Sequence, residues 1–152
     1  MAFTINTPSF SDNETIPGVY TCDNKDISPR LTWRGEPAST RSFALVMHDP
    51  DAPVGDYTHW IVTDIPANVH ELPEHAKKGS IGVDHLNSWG NLGYSGPCPP
   101  RGHGTHRYFF ELTAVDVPSL GLPEGSSRAE VDAALKAHML DRAITMGTYQ
   151  RK

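Results

Sequence analysis

Turn-forming segments interrupt this chain at short intervals, and their spacing limits the folds that it can adopt. They are rich in proline, glycine, asparagine and aspartate: "TPSFSDNETIPG", "CDNKDISP", "GEPAS", "DPDAPVGD", "IPAN", "SGPCPPRGHG" and "VPSLGLPEGSS". Between them lie short runs rich in β-branched and aromatic residues, namely "LTW", "RSFALVMHD", "YTHWIVTDI" and "HRYFFELTAV". Short strands at this spacing predict an all-β sandwich or barrel.

One segment near the C-terminus has helical periodicity instead. Ser127 and Glu130 have the spacing of a capping box. Apolar spacing on one helical face then follows at Val131, Ala134, Leu135, His138 and Met139. This pattern predicts a helix over residues 127–141, with His138 as a core histidine, and a final strand in "AITMGTYQ". Residues 69–92 show little periodicity, and we expect a long excursion there with a short helix or turns.

Composition and charge exclude several classes of function. The formal net charge is -5 and no cluster of lysine and arginine stands out, which argues against nucleic-acid binding. The start, "MAFTINTPSF", has neither the basic nor the apolar region of a signal peptide, and no run approaches the roughly 20 apolar residues of a membrane span. We therefore expect a cytoplasmic protein without integral membrane association.

Cys22 and Cys98 are predicted to be reduced thiols, with a single disulfide between them as the alternative.

Strand alternation places several polar side chains in line with apolar ones. Side chains alternate between the two faces of a strand, so every second residue shares a face. The sets that share a face are Phe43, Leu45, Met47 and Asp49; Tyr57, His59 and Ile61; and His106, Tyr108, Phe110, Leu112 and Ala114. If the three strands are neighbours, their polar members gather at one end of the sheet, beside two rigid proline- and glycine-rich loops. Loops held by a rigid sheet commonly carry binding sites.

Two sequence blocks resemble those of a known family. "DPDAPVGDYTHWIV" and "GYSGPCPPRGHGTHRYFF" closely resemble the two signature blocks of the phosphatidylethanolamine-binding protein family, which includes the Raf kinase inhibitor protein. "TCDNKDISPRLTW" and "NSWGNLGY" also fit, and the closing "GTYQR" looks like the small bacterial and archaeal branch. The resemblance implies a mainly β fold, an antiparallel, Greek-key-like β-sandwich with one main peripheral helix near the C-terminus. It also implies a single domain over residues 1–152.

The same resemblance implies a small, partly open pocket for an anion, such as phosphate or a phosphoryl head group. Carried over position by position, the ligand-binding residues are Asp49, Pro53, Tyr57, His59, Cys98, Pro99, Gly102, His106 and Tyr108. Charged His59 and His106 are expected to donate hydrogen bonds to the anion, and Asp49 is expected to orient a histidine. The prolines would hold the loop, and the glycines would let its backbone approach the ligand. The resemblance implies no cofactor, no metal and no catalysis, but a homodimer and a role as a kinase or protease inhibitor or regulator.

Two enzymatic alternatives remain open at this point. Two histidines and a carboxylate could hold iron or zinc, and "HGTH" at residues 103–106 invites that interpretation. However, alternation turns His103 and His106 to opposite faces, and the sequence has no HExxH motif. A hydrolase could use histidine and aspartate as a base and its orienting group, but no GxSxG motif is present. Cys98, close to His106 in the sequence, remains a candidate nucleophile for that alternative.

Overall fold

Two antiparallel sheets form the framework of the structure, a computed structural model that describes residues 2–152. The smaller sheet has the order β1-β2-β5, with strands Thr4–Asn6, Leu31–Arg34 and Glu71–Leu72. The larger sheet has the order β6-β4-β3-β7-β8, with strands Val83–Asp84, Tyr57–Pro66, Ser42–Asp49, His106–Val115 and Met139–Tyr149. A 3-10 turn spans Gly18–Tyr20 and helix α1 spans Arg128–His138. The predicted mainly β fold, with antiparallel sheets and one helix near the C-terminus, is confirmed; Met1 of the predicted domain lies outside the described residues.

The main core lies against the inner face of the larger sheet. Phe43, Leu45 and Met47 of β3 are completely buried there, as alternation predicts. Phe43 meets the indole of Trp33 from the smaller sheet, with ring centroids 5.6 Å apart. Burial of each such side chain is worth about 1.5–3 kcal/mol. The central strands β3, β4 and β7 are thereby fixed, and with them the strand ends where the predicted site residues lie.

Helix α1 covers part of the outer face of the same sheet. Val131 and Leu135 pack against Val46 and Ile61, and the predicted capping box at Ser127 is present. The helix ends at His138 rather than at residue 141, because the chain continues directly into β8. Among residues 2–152, no helix has the length and hydropathy that a membrane crossing requires.

His138 is not the core histidine that helical spacing predicts. Its side chain is 40% exposed, and its Nδ1 lies 2.8 Å from a carboxylate oxygen of Asp116. The buried residues of α1 are Val131 and Leu135, so the apolar stripe ends before the last turn.

A β-bulge in β4 changes which side chains face the inner core. Met47 pairs with Trp60 and His48 pairs with Thr58, so His59 is an extra residue in β4. Bulges of this kind reorient side chains and are common beside functional sites. Consequently Ile61 faces α1, and the prediction that it shares a face with Tyr57 and His59 is wrong.

Residues 69–92, expected to be a long excursion with a short helix or turns, contain turns and the two-residue strands β5 and β6, and no helix lies in this part of the described chain. Just after β6, buried His85 fixes this segment to the larger sheet. Its Nε2 donates to the Thr63 hydroxyl at 2.7 Å, and its Nδ1 accepts from the Ser126 amide at 3.2 Å. Burial lowers the pKa of the His85 imidazole, which keeps the ring in the neutral form that these two bonds require.

Candidate functional site

A cavity of about 190 Å³ opens where β3, β4 and β7 meet the two proline-rich loops. Eight of the nine predicted site residues line it: Asp49, Pro53, Tyr57, His59, Cys98, Pro99, His106 and Tyr108. The lining also includes Ala52, Val54, Trp89 and Pro100, which the sequence analysis did not select. Gly102 is not in the lining; its amide donates to the Arg151 carbonyl at 2.8 Å, so it connects the loop to the C-terminal segment.

A buried carboxylate–imidazole pair forms one wall of the cavity. Oδ2 of Asp49 lies 2.6 Å from Nδ1 of His106, and the two side chains are 4% and 2% exposed. The other carboxylate oxygen of Asp49 accepts the Asp51 amide at 2.8 Å. Because Asp49 accepts, Nδ1 of His106 carries the proton, and in the neutral ring the lone pair is on Nε2.

The second nitrogen of His106 is also engaged. Its Nε2 lies 2.6 Å from Nδ1 of His103, whose side chain is exposed. The prediction that these histidines face opposite ways is therefore wrong. Strand alternation begins only at His106, whereas His103 lies in a turn whose amide donates to the Pro100 carbonyl at 3.2 Å.

His59 lies on the opposite wall with one ring nitrogen committed to the backbone. Its Nδ1 donates to the Ser95 carbonyl at 2.7 Å, and its Nε2 has no hydrogen-bond partner among residues 2–152. Burial lowers the pKa of this imidazole, and the bond to Ser95 opposes the shift only in part. At neutral pH His59 therefore presents a lone pair, and it becomes a donor at Nε2 only when it takes up a proton.

Tyr108 completes the polar floor of the cavity. Its ring meets that of His59 edge to face, with centroids 5.2 Å apart. Burial, and secondly the negative charge of Asp49, raise the pKa of the Tyr108 phenol. The hydroxyl group consequently stays protonated throughout the physiological range and can donate to a ligand without any change of charge.

Aromatic and apolar side chains form the mouth of the cavity. Trp89 meets the Tyr57 ring edge to face at 4.8 Å between centroids, and 43% of it remains exposed. Val54, on the facing loop, is 82% exposed. Trp89 lies in the segment without periodicity, and its sequence signal was the block "NSWGNLGY".

A disulfide holds the second loop of the site in place. Cys22 and Cys98 are bonded, with their Cα atoms 5.4 Å apart, so the prediction of two reduced thiols is wrong. The backbones approach each other next to the bond, since the Cys22 amide donates to the Pro97 carbonyl at 3.1 Å. In this state Cys98 offers no thiol to the hydrolase alternative.

A larger cavity, of about 390 Å³, lies between α1 and the outer face of the sheet. Both arginines of its lining pair with acidic neighbours: Arg128 lies 3.0 Å from Asp132, and Arg142 lies 3.2 Å from Glu111. The smaller cavity is the better candidate because it combines buried titratable groups with a ring nitrogen that is free to bind. Within residues 2–152, no three histidine, cysteine or acidic side chains come together in an arrangement suited to a metal ion.

Comparison with known proteins agrees with this fold. The model of a family described as phosphatidylethanolamine-binding protein matches residues 6–150. A UPF0098 protein of Aquifex aeolicus is 51% identical over 146 residues, which cover 94% of this chain and 85% of that protein. LppC of Mycobacterium tuberculosis, named as a lipoprotein, is 39% identical over 97% of this chain and 72% of its own length. The crystal structure of Escherichia coli YbcL, described as a member of the mammalian PEBP family, covers both chains completely with a TM-score of 0.94 and 32% identity. The chain therefore belongs to the phosphatidylethanolamine-binding protein family.

Proposed function

We propose that this protein is a non-enzymatic binding protein for a small oxyanion, such as phosphate or the phosphoryl group of a head group. The observation that carries the proposal is the convergence of buried His59, His106 and Tyr108 on one cavity of about 190 Å³. A cavity of this volume is too small for most cofactors and drug-sized ligands, whose pockets measure roughly 300–1,000 Å³. Asp49 supports the site from behind, because it accepts a hydrogen bond from Nδ1 of His106 and so orients the ring.

The histidines must gain protons before they can hold an anion. The Nδ1–H group of His59 donates to the Ser95 carbonyl and that of His106 donates to Asp49, so both rings must donate to a ligand through Nε2. That nitrogen carries a hydrogen only in the imidazolium form. Binding is therefore coupled to proton uptake, while Tyr108 supplies a donor that is independent of pH.

This coupling predicts that sulfate affinity rises as the pH falls from 8 to 5.5. A histidine in solution has a pKa of about 6.5, and burial holds that of His59 lower, so its contribution appears in the acidic part of this range.

Replacing His106 by alanine should weaken sulfate binding about tenfold or more, since a charge-assisted hydrogen bond is worth about 1.5–3 kcal/mol. Calorimetry in two buffers of different ionisation enthalpy measures both the affinity and the number of protons taken up.

Sulfate is the suitable probe because its own charge is constant over this range, unlike that of phosphate. His138→Ala is the matched control, because that histidine lies at the end of α1 and pairs with Asp116. Equal affinity at both ends of the range, without proton uptake, would contradict the role of charged histidines. Neutral hydrogen bonds and backbone amides would then have to hold the anion.

The hydrolase alternative loses support at the nucleophile. The Asp49–His106 pair has the geometry of a general base and its orienting group. Cys98 is bonded to Cys22, however, and so provides no thiolate to attack a substrate. A burst of product from an ester substrate that disappears in the His106→Ala variant would overturn the proposal of a binding protein.

The position of β8 at the edge of the larger sheet supports a homodimer as the proposed assembly. Residues 12–16 cover the end of this strand, where the Asn13 amide donates to the Met146 carbonyl at 2.7 Å. The beginning of β8 carries three exposed large apolar side chains, Met139, Leu140 and Ile144. Proteins usually cover an apolar edge of this kind, and a second copy of the strand would do so. Light scattering should give the mass of a dimer, and the Ile144→Lys variant should have the mass of a monomer. A wild-type protein that is monomeric at tens of micromolar, on the order of the dissociation constant of a weak contact, contradicts the proposal.

A kinase or protease that this protein inhibits or regulates is a further proposal, which rests on family membership alone. Capture of partners from the native host, with the His106→Ala variant as comparison, would test whether any partner depends on the pocket.

The cytoplasmic location expected from the sequence is opposed by the disulfide. Such bonds are typical of oxidising compartments and rare in the cytosol, apart from that of hyperthermophiles. The relative named as a lipoprotein is also consistent with a location outside the cytosol. Fractionation of native cells, with trapping of free thiols, tests the location. Reduced protein in the cytosolic fraction would support a cytoplasmic location, and oxidised protein in another fraction would contradict it.

A further inference from the structure

Three side chains form one continuous line of hydrogen bonds from the buried floor of the cavity to the surface. Asp49 bonds His106, and His106 bonds His103, each across 2.6 Å between the heavy atoms. Asp49 and His106 are buried, whereas His103 is exposed in the loop. The rings of His103 and His106 also contact each other, with centroids 4.8 Å apart.

This arrangement leaves His106 without a free ring nitrogen. An oxyanion that accepts a hydrogen bond from His106 must therefore displace either Asp49 or His103. Asp49 is the more firmly held of the two, because its second carboxylate oxygen accepts the Asp51 amide and its side chain is buried. His103 has the exposed ring and is the group that can leave.

The backbone around His103 is suited to such a movement. Gly102 and Gly104, on either side, have φ angles of +74° and +95°, a region that glycine enters without steric cost. A Cβ atom placed on either glycine would meet no atom within 4 Å, so both flanks of the turn are open. His103 can consequently turn outward without any rearrangement of β7.

We propose that His103 is a displaceable cap on the anion site, occupying Nε2 of His106 until an oxyanion takes its place. The proposal rests on the proposed function, since it concerns the same pocket. A ligand then binds only to the fraction of molecules in which the cap is open, and its apparent affinity is reduced by that fraction. His103 thus sets the affinity of a pocket whose lining it does not form.

Proton uptake controls the cap. In the neutral pair, His103 donates from Nδ1 to the lone pair on His106 Nε2. One added proton leaves the bond intact, because His106 then donates from Nε2 and His103 accepts. A second added proton places two N–H groups and two positive charges face to face, and the bond breaks. The other titratable groups near the pair are Asp49, Asp51, His59 and Tyr108. Arg107 pairs with Asp51, and Arg101 lies in the same loop as His103.

Removal of the cap should therefore tighten binding at high pH and have little effect at low pH. We expect His103→Ala to raise sulfate affinity about fivefold at pH 7.5, the equivalent of a neutral hydrogen bond worth about 1 kcal/mol. Where acid protonates both rings, the pair opens without the substitution, so the two proteins should bind alike. Thr105→Ala is the control, since Thr105 is exposed in the same loop and should leave the affinity unchanged. Calorimetric titration with sulfate measures all three proteins.

Nitrogen-15 NMR of the histidine side chains tests the contact without any ligand. In the free protein, His103→Ala should shift the Nε2 signal of His106, whereas Thr105→Ala should not. A His106 signal that is unmoved by His103→Ala overturns the proposal.

The binding results separate this proposal from the one on which it rests. If the wild-type protein binds sulfate and His103→Ala binds it equally or more weakly, the cap is wrong and the anion site stands. A weaker variant would identify His103 as a donor to the anion instead. If neither protein binds sulfate between pH 5 and 8, the anion site fails and the cap fails with it.

Discussion

Removal of the Cys22–Cys98 disulfide should lower the free energy of unfolding by about 4 kcal/mol. The bond joins residues 76 positions apart, so it closes a long loop in the unfolded chain. Closing a loop of this length removes denatured-state entropy worth about 4 kcal/mol, and the observed range for single disulfides is about 0–5 kcal/mol. Urea unfolding of the Cys22→Ala/Cys98→Ala double variant, beside the oxidised wild-type protein, measures the difference.

A reductant provides the matching control. Cys98 is exposed, so reduction should reach the bond in the native protein and shift the wild-type unfolding curve towards that of the double variant. The double variant itself should not respond to the reductant. If the wild-type curve does not move, and mass spectrometry of the alkylated protein finds two free thiols from the start, the bond is absent in solution.

The sequence predicted the regular part of the fold because one physical rule governs it. In β3 and β7 every second side chain faces the core, and Phe43, Leu45, Phe110 and Leu112 are buried as alternation requires. The rule fails in β4, where His59 is an extra residue opposite β3. The bulge moves Trp60, Ile61 and Val62 to the faces opposite to those that alternation predicts, and a second irregularity returns Ile65 to the inner core. Thr58, His59 and Trp60 carry no compositional mark of the bulge.

The loops around the site were less predictable, since loop geometry depends on contacts between distant parts of the chain. The bond between Cys22 and Cys98 depends on two loops that meet only in the folded protein. His103 lies just before β7, so strand alternation extended to it gives the wrong face. Trp89 reaches the cavity mouth from a segment with only a two-residue strand. Resemblance to a family selected most of the pocket, Cys98 included, but selected neither His103 nor Trp89.

The approach of the two loops also explains Gly96, one of the loop glycines that were expected to let the backbone approach a ligand. A Cβ atom at Gly96 would lie 2.1 Å from the Tyr20 carbonyl oxygen and 2.5 Å from a carboxylate oxygen of Asp26. Both neighbours are held in place: the Tyr94 hydroxyl donates to that carbonyl at 2.7 Å, and the Gly96 amide donates to Asp26 at 2.8 Å. The glycine thus lets the backbone pass another loop of the protein itself.

Replacing Gly96 by alanine should therefore lower the free energy of unfolding by about 3 kcal/mol. Overpacking typically costs about 1–3 kcal/mol, and separation of the loops also weakens hydrogen bonds worth about 1 kcal/mol each. Asp26 adds to the loss, because burial already raises the pKa of its carboxyl group and the bond from Gly96 opposes that shift. Urea unfolding at constant pH measures the change, and sulfate titration shows whether the displaced loop still forms the pocket.

Gly18→Ala is the matched control for this substitution. A Cβ atom there would meet nothing within 4 Å, and the backbone at Gly18 is not in the left-handed region, so stability should change by less than about 0.5 kcal/mol. The two variants add the same methyl group and make the same change to the entropy of the unfolded chain. Their difference consequently isolates the contact between the loops. Equal stability of the two variants would mean that the loops do not approach this closely in solution. The disulfide alone would then have to hold Cys98 and Pro99 in place.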